Sequence, residues 1–120
     1  MPNAVIAAVS ALRISFSATE SELHAQVAAC LEAAGIPCVH EARLGTGCRI
    51  DFLAGDVGIE IKKEKPDRSA LLAQLRRYAS FDAVRTLVVV APRSVSLPDT
   101  VNGKPLYTVA LNRLWGVALP

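Results

Sequence analysis

Two carboxylates and a lysine near the middle of the sequence have the residue types and the spacing to do chemistry. Asp51 precedes the segment Glu60-Ile61-Lys62 with eight residues between them, and the dipeptide Gly55-Asp56 divides that interval. Glycine in the first of two turn positions is typical of a type II′ β-hairpin. We therefore predict that residues 49–54 and 57–62 form adjacent antiparallel strands.

With this turn, the register of the hairpin is predicted to bring charged side chains together on one face, whereas a bulge or a longer turn would break the pairing. Counting outward from the turn, Asp51 faces Glu60 and Arg49 faces Lys62. Directly opposed side chains lie roughly 4.5–5.5 Å apart at Cβ, where like charges destabilise a sheet. A cation such as Mg²⁺ would relieve the repulsion between the carboxylates, because hard cations take carboxylate oxygens as ligands. Arg49 and Lys62 would then attract an anion beside the metal, which suits phosphoryl chemistry.

The opposite face of the hairpin is predicted to be apolar and to pack against a helix. It holds the pairs Ala54–Val57, Phe52–Ile59 and Ile50–Ile61. An alternative interpretation is a solvent-facing strand pair in which Asp51–Lys62 and Arg49–Glu60 form diagonal surface ion pairs, which stabilise a protein little.

Three helices are predicted around this hairpin. Residues 3–14 carry apolar side chains at helical spacing, with Asn3 as the N-cap. Thr19 and Glu22 fit a capping box for a second helix, which Gly35 ends. Its apolar stripe is Leu23, Val27, Cys30, Leu31 and Ala34. A third helix of about 12 to 14 residues follows Asp67 or Ser69 as its cap, and its inward face is Leu71, Leu72, Leu75, Tyr78 and Ala79.

The remaining segments are predicted to be strands and loops. Residues 38–44 form a strand that the turn 45–47 joins to the hairpin, which makes a three-stranded meander. The continuous apolar run 86–91 is typical of a buried central strand. A polar loop precedes a last strand at 106–110, and the segment around Trp115 has no clear assignment. This order of elements predicts an α/β sandwich around a mixed sheet.

Composition and charge limit the classes of protein to which this chain can belong. A chain of 120 residues with 52% apolar residues suffices for one packed core. The net charge of +2 does not indicate a nucleic-acid partner, but nine of the 13 Lys and Arg residues lie within 43–85 and could attract phosphates. The three cysteines are predicted to be reduced, small hydrophobes. His24 and His40 lack metal-ligand spacing. Residues 1–16 have no basic segment before the apolar stretch, so we expect a cytoplasmic protein.

In this order, the motifs resemble those of the PD-(D/E)XK nuclease superfamily, whose core is D-x(n)-E-x-K. The resemblance extends from Thr19 to Ala91, and Ile50 occupies the place of the motif's proline. Gln74 and Tyr78 resemble the QxxxY motif of the RecB-like branch, close to small Holliday-junction-resolvase-like and VRR-Nuc-like cores. The resemblance implies a single domain over residues 1–120 with the restriction-endonuclease-like three-layer sandwich, in which helices flank a mixed sheet with an antiparallel meander.

The resemblance also implies roles for the motif residues. Asp51, Glu60 and the main-chain carbonyl of Ile61 would bind Mg²⁺ or Mn²⁺. Lys62 would position or deprotonate the attacking water, although a metal-bound hydroxide is an alternative base. Glu20 would complete the metal shell directly or through water. Its rival is Glu22, which the capping box explains better. The alternative role for Glu20 is that of a solvated carboxylate that stabilises the helix N-terminus.

The resemblance also implies that further residues contact the substrate. Gln74 and Tyr78 lie one helical turn apart, so both can face one site, where they would orient the motif and contact the substrate backbone. For Tyr78, ordinary core packing is the alternative. The residues expected to contact DNA, with solvated surface charge as their alternative, are Arg49, Lys63, Lys65, Arg76 and Arg77.

The expected function is hydrolysis of DNA phosphodiester bonds by metal-activated water. With no separate recognition segment, we expect low sequence specificity, and preference for branched DNA would separate a resolvase from a trimming nuclease. A homodimer formed through the N-terminal apolar segment is a hypothesis. The alternatives are a non-catalytic DNA-binding or assembly module with the nuclease fold, and a small hydrolase that uses the carboxylate pair.

Overall fold

The computed structural model describes residues 2–12, 19–92 and 95–110. In these ranges it has three helices, α1 (Pro2–Ser10), α2 (Glu20–Ala33) and α3 (Arg68–Ala79). The strands are β1 (Val39–Gly45), β2 (Cys48–Ala54), β3 (Val57–Ile61), β4 (Thr86–Ala91), β5 (Thr100–Val101) and β6 (Lys104–Ala110).

The six strands form one mixed sheet in the order β1-β2-β3-β4-β6-β5. Strands β1, β2 and β3 are an antiparallel meander, as predicted. Strand β4 pairs in parallel with both β3 and β6, and all of its residues are buried. The predicted central strand is therefore confirmed, and the chain has an α/β fold.

Helices lie on both faces of the sheet. On one face, α1 and α2 pack against side chains that include Phe52, Ile59 and Val88. On the other face, α3 packs against a second cluster that includes Leu87 and Val89. The buried side of α1 is thus part of the chain's own core. No helix in the described part of the chain has the length and apolar content to cross a membrane.

The helix ends follow the local sequence signals. Thr19 and Glu22 form both hydrogen bonds of the capping box, at 3.0 and 3.1 Å. Gly35, with φ of 71°, follows α2, and the Ile36 amide donates to the Leu31 carbonyl in a Schellman motif. Asp67, rather than Ser69, caps α3. The predicted inward face of α3 is buried at all five positions.

Several predicted details are wrong. Helix α1 begins at Pro2, so Asn3 is not its cap; proline suits a first helical position because that amide has no partner there anyway. Helix α1 ends at Ser10, and residues 13–14 and Trp115 lie outside the described residues. The polar loop contains β5, which a turn at Asn102-Gly103 joins to β6. Both turn residues have positive φ, the type I′ pattern that favours Asn-Gly.

The three cysteines carry no disulfide. Cys48 is buried on the α3 side of the sheet, while Cys30 and Cys38 are partly buried against the other core. Burial raises the pKa of the Cys30 and Cys38 thiols, which favours their neutral form. Their positions fit the prediction that they pack as small hydrophobes.

Candidate active site

A cleft of about 850 Å³ opens at the carboxyl-terminal end of β3. Its walls come from the start of α2, the segment that follows β3, and one side of α3. The cleft therefore lies at the end of a central strand, between helices from the two faces of the sheet. The predicted site residues that line it are Glu20, Asp51, Glu60, Ile61, Lys62, Lys63, Lys65, Gln74 and Arg77.

On the α3 side of the cleft, four side chains form a closed hydrogen-bonded ring. The Lys62 ammonium lies 3.2 Å from Glu60 Oε2 and donates to Gln74 Oε1 at 2.9 Å. Gln74 Nε2 donates to the Tyr78 hydroxyl at 2.8 Å. The Tyr78 hydroxyl lies 3.2 Å from Glu60 Oε1 and 3.1 Å from the Arg49 carbonyl, to either of which it can donate. The glutamine and tyrosine of α3 therefore hold the glutamate of β3 and the lysine that follows this strand.

Asp51 enters the cleft from β2. Its Oδ2 accepts a hydrogen bond of 2.7 Å from the main-chain amide of Ile61. The ladder between β2 and β3 extends from Ala54–Val57 to Phe52–Ile59, as the turn predicts, and includes no pair beyond it. The expected ladder pairs Asp51–Glu60 and Arg49–Lys62 are therefore wrong. Beyond the pair Phe52–Ile59, the Asp51 side chain, rather than the backbone of β2, accepts the next hydrogen bond from β3. This contact brings the Asp51 carboxylate into the same cleft as Glu60.

The predicted continuous apolar face of the hairpin is also wrong at one position. Ile50 packs with the α3-side cluster, and its Cδ1 lies next to Gly58, whereas Phe52 packs with the α2-side cluster. In a regular strand, residues two apart share a face. Glu41, the residue of β1 at the level of Asp51, has φ of 52°, which is uncommon for a residue with a side chain. The sheet is thus irregular at the level of Asp51.

The α3 side of the cleft carries strongly perturbed acidities. Burial and, to a smaller extent, the negative charge of Asp51 raise the pKa of Glu60 to about 7, although Lys62 opposes both effects. Glu60 is only 4% exposed. Burial also raises the pKa of Tyr78, as does the adjacent Glu60, so its hydroxyl stays a hydrogen-bond donor. A buried carboxyl group beside a second carboxylate in a cleft is a feature of functional sites.

On the α2 side, the structure brings together two histidines, His24 and His40, whose spacing in the sequence does not predict a site. His24 occupies the buried stripe of α2, whereas the predicted stripe member Ala34 is exposed. His24 Nε2 lies 3.8 Å from Glu20 Oε1 and 3.8 Å from Asp51 Oδ2. It is buried and has no hydrogen-bond partner among the described residues. The one available signal in the sequence was the separation of Glu20 and His24 by a single helical turn.

The donor atoms around the cleft fit a hard divalent cation. Within the described ranges, no three His, Cys, Asp or Glu side chains form a group that could hold a metal ion alone. Mg²⁺, however, is commonly bound through one or two carboxylates while it keeps several waters. Asp51 and Glu60 supply such oxygens, and the unpartnered Nε2 of His24 is a further donor beside Asp51. Glu20, rather than Glu22, borders the cleft, because Glu22 is engaged in the capping box.

The five basic residues expected to contact DNA do not all lie at the cleft. Lys63, Lys65 and Arg77 line it. Arg77 also donates to the Gly47 carbonyl at 3.1 Å, which ties α3 to the turn between β1 and β2. Arg76 is exposed but does not line the cleft. Arg49 also lies outside the lining and has Glu41 3.6 Å away, so the diagonal pair Arg49–Glu60 is not formed.

No protein-family model, curated protein or solved structure matches this chain.

Proposed function

We propose that this protein is a metal-dependent nuclease of the PD-(D/E)XK type, from the RecB-like branch, that hydrolyses phosphodiester bonds in DNA with low sequence specificity. The observation that carries the proposal is the ring in which Gln74 and Tyr78 hold Glu60 and Lys62 in the cleft that also contains Asp51. The mixed sheet with helices on both faces supports the restriction-endonuclease-like sandwich as its fold.

The residues of the cleft have complementary tasks in this proposal. Asp51, Glu60 and the Ile61 carbonyl would hold Mg²⁺ or Mn²⁺, with Glu20 and His24 on the α2 side. When bound, the cation would neutralise charge on the phosphate and lower the pKa of attacking water. Burial raises the pKa of Glu60, and the repulsion between the two carboxylates adds to that effect. A bound cation would replace this repulsion with an attraction.

In this proposal Lys62 contacts the scissile phosphate. Its ammonium contacts Glu60 and Gln74, and its side chain is 27% exposed, so it is accessible from the cleft. Preorganised donors that face developing negative charge stabilise a transition state without further reorganisation. Lys62 would thus position water and stabilise charge on the phosphate, while Lys63 and Lys65 along the cleft would attract the DNA backbone.

The test is cleavage of labelled linear duplex, single-stranded and four-way-junction DNA in Mg²⁺, Mn²⁺ or EDTA. We expect metal-dependent cleavage by the wild type and a loss of at least about 10²–10³-fold in Glu60→Gln and in Lys62→Met. The matched controls are Glu32→Gln and Arg85→Met. Both residues are exposed and lie outside the cleft. Arg85 directly precedes the amino-terminal end of β4, and the cleft lies at the other end of the parallel strands β3 and β4. We expect both controls to cleave like the wild type.

The substrate comparison also identifies the alternatives. Faster cleavage of the junction than of linear DNA would identify a resolvase-like enzyme. Binding of DNA without cleavage under every metal condition would overturn the nuclease and leave the non-catalytic DNA-binding module. Cleavage that survives in EDTA or in Glu60→Gln would contradict the proposed site.

A further inference from the structure

His24 and His40 form a hydrogen-bonded pair next to the cleft. Nδ1 of His24, on α2, and Nε2 of His40, on β1, are 3.0 Å apart, although the residues are 16 positions apart in the sequence. His24 is 8% exposed, whereas His40 is exposed. Both line a smaller pocket of about 370 Å³ that shares Glu20 with the cleft. The pair therefore joins the α2 side of the site to the protein surface.

The other ring nitrogen of His24 is the atom that requires an explanation. Nε2 is buried without a hydrogen-bond partner in the described part of the chain. The oxygens of Glu20 and Asp51, each 3.8 Å away, are too distant for hydrogen bonds. A buried polar atom without a hydrogen-bond partner is uncommon in folded proteins. Its position between two carboxylates suggests that a cation supplies the missing interaction.

Aromatic contacts hold the histidine pair in place. The His40 ring stacks on Phe52, with centroids 4.6 Å apart and planes 25° apart. The His24 ring packs at a tilt on the same phenyl ring at 5.8 Å. Phe52 is fully buried in β2, one residue after Asp51. The orientation of both imidazoles is therefore coupled to the strand that carries the candidate metal-binding aspartate.

We propose that His40 is a positioning residue for His24, which it holds through Nδ1 so that Nε2 faces a cation between Glu20 and Asp51. The inference rests on the proposed function, which requires that cation. A histidine that binds a metal presents a lone pair on one nitrogen and donates the N–H of the other to a second group. The proton of His24 must then be on Nδ1. His40 accepts this proton's hydrogen bond at Nε2 and carries its own proton on Nδ1.

The first test measures the pair directly by ¹⁵N NMR of the imidazole rings. In metal-free wild-type protein we expect a coupling across the hydrogen bond between His24 Nδ1 and His40 Nε2. With saturating Mg²⁺, which is diamagnetic, we expect the His24 proton on Nδ1. The absence of the coupling, or a His24 proton that stays on Nε2 in Mg²⁺, would overturn the inference.

The second test measures Mn²⁺ affinity by calorimetry in two variants of the same residue. His40→Phe keeps an aromatic ring against Phe52 but removes the hydrogen-bond partner, and we expect about 10–100-fold weaker binding. His40→Gln keeps a side chain that can accept the hydrogen bond, and we expect most of the affinity to return. Val39→Ala, at a neighbouring residue that is 58% exposed, is the control and should bind like the wild type. Equal affinity in His40→Phe and the wild type would contradict the role of His40.

The two proposals fail in different ways. Normal DNA cleavage by a wild type that lacks the nitrogen–nitrogen coupling would overturn the positioning role alone. A Mg²⁺-bound protein with the coupling and the expected tautomer, but without cleavage of any DNA, would support the positioning role and overturn the nuclease. Thermal unfolding verifies that both His40 variants are folded, and the NMR measurement on the wild type does not depend on them.

Discussion

The two sides of the cleft differ in how completely their polar groups are paired. On the α3 side, Glu60, Lys62, Gln74 and Tyr78 form a ring of contacts between 2.8 and 3.2 Å. On the α2 side, His24 Nε2 is unpartnered and its distances to Glu20 and Asp51 are 3.8 Å. One side is already organised by the protein, and the other has the spacing of a site that a ligand completes. The difference suggests that substitutions on the α2 side act on cation binding, whereas those on the α3 side also act on the fold.

The largest expected effect on cation binding comes from a substitution of Glu20, on the incompletely paired α2 side. Glu20→Gln removes a carboxylate beside His24 that is 68% exposed, so we expect about 10–100-fold weaker Mn²⁺ binding. Because Glu20 lies in the first turn of α2, we expect the free energy of unfolding to fall by no more than about 0.3–1 kcal/mol. The control is Thr19→Ala, which deletes the N-cap one residue earlier. It should lower the free energy of unfolding by about 0.5–2 kcal/mol without changing the affinity. Calorimetry and thermal unfolding of both proteins separate the effects on affinity and on stability, and unchanged Mn²⁺ affinity in Glu20→Gln would contradict the prediction.

On the organised side, Tyr78→Phe tests whether the ring stabilises the fold. The change removes the hydroxyl that joins Gln74 to Glu60 and leaves buried polar groups without a partner. We expect the free energy of unfolding to fall by about 1–3 kcal/mol in chemical denaturation. Tyr107→Phe, at a residue on β6 that is 40% exposed, is the matched control and should change stability little. Equal stability of the two variants would mean that the ring is not a structural unit.

Substitutions of basic residues test whether DNA binds at the cleft or elsewhere on the surface. Lys63→Ala combined with Lys65→Ala removes two cations that line the cleft, and we expect the slope of log affinity for DNA against log salt to shrink by about 2. Arg76→Ala removes a cation outside the cleft lining and should leave the slope unchanged. Binding is measured by fluorescence anisotropy in EDTA, so that cleavage does not interfere. A reduced slope in Arg76→Ala would extend the DNA-binding surface beyond the cleft.

The last prediction is a pH dependence of stability that arises from Glu60. Because the folded protein raises the pKa of Glu60 from 4.5 to about 7, protonation of this group favours folding. Its stabilising contribution is therefore complete below pH 4.5 and is lost as the pH rises toward 7. In EDTA, Glu60→Gln should gain stability relative to the wild type over that interval, and denaturation at several pH values measures the difference. A difference that does not change with pH would contradict the raised pKa.

The local patterns of the sequence were sufficient to predict much of the fold. The capping box at Thr19, the buried face of α3 and the apolar run of β4 are all confirmed. These features depend on hydrogen bonds and side-chain periodicity within a few residues, so they can be read from neighbouring positions. The hairpin turn at Gly55-Asp56 also predicted the register of β2 and β3 up to Phe52–Ile59.

The irregularity at Asp51 was not predictable from the same patterns. It moves Ile50 to the other face of the sheet and replaces a ladder pair by the hydrogen bond from the Ile61 amide to Asp51. Alternation along β2 by itself predicts a regular strand, because every second residue there is apolar. Packing of Ile50 against Gly58, and the positive φ of Glu41 on the neighbouring strand, involve residues far apart in the chain.

The sequence by itself determined the three helices and five of the six strands of the described residues, the order of these elements, and the candidate residues Asp51, Glu60 and Lys62. Only the tertiary structure decided that Gln74 and Tyr78 close a ring around Glu60 and Lys62, and that His24 meets His40 beside Asp51. The physical reason is the range of the interactions. Caps, turns and helical stripes arise between near neighbours, whereas the directions of buried side chains depend on how a strand bends and how two helical layers pack on one sheet.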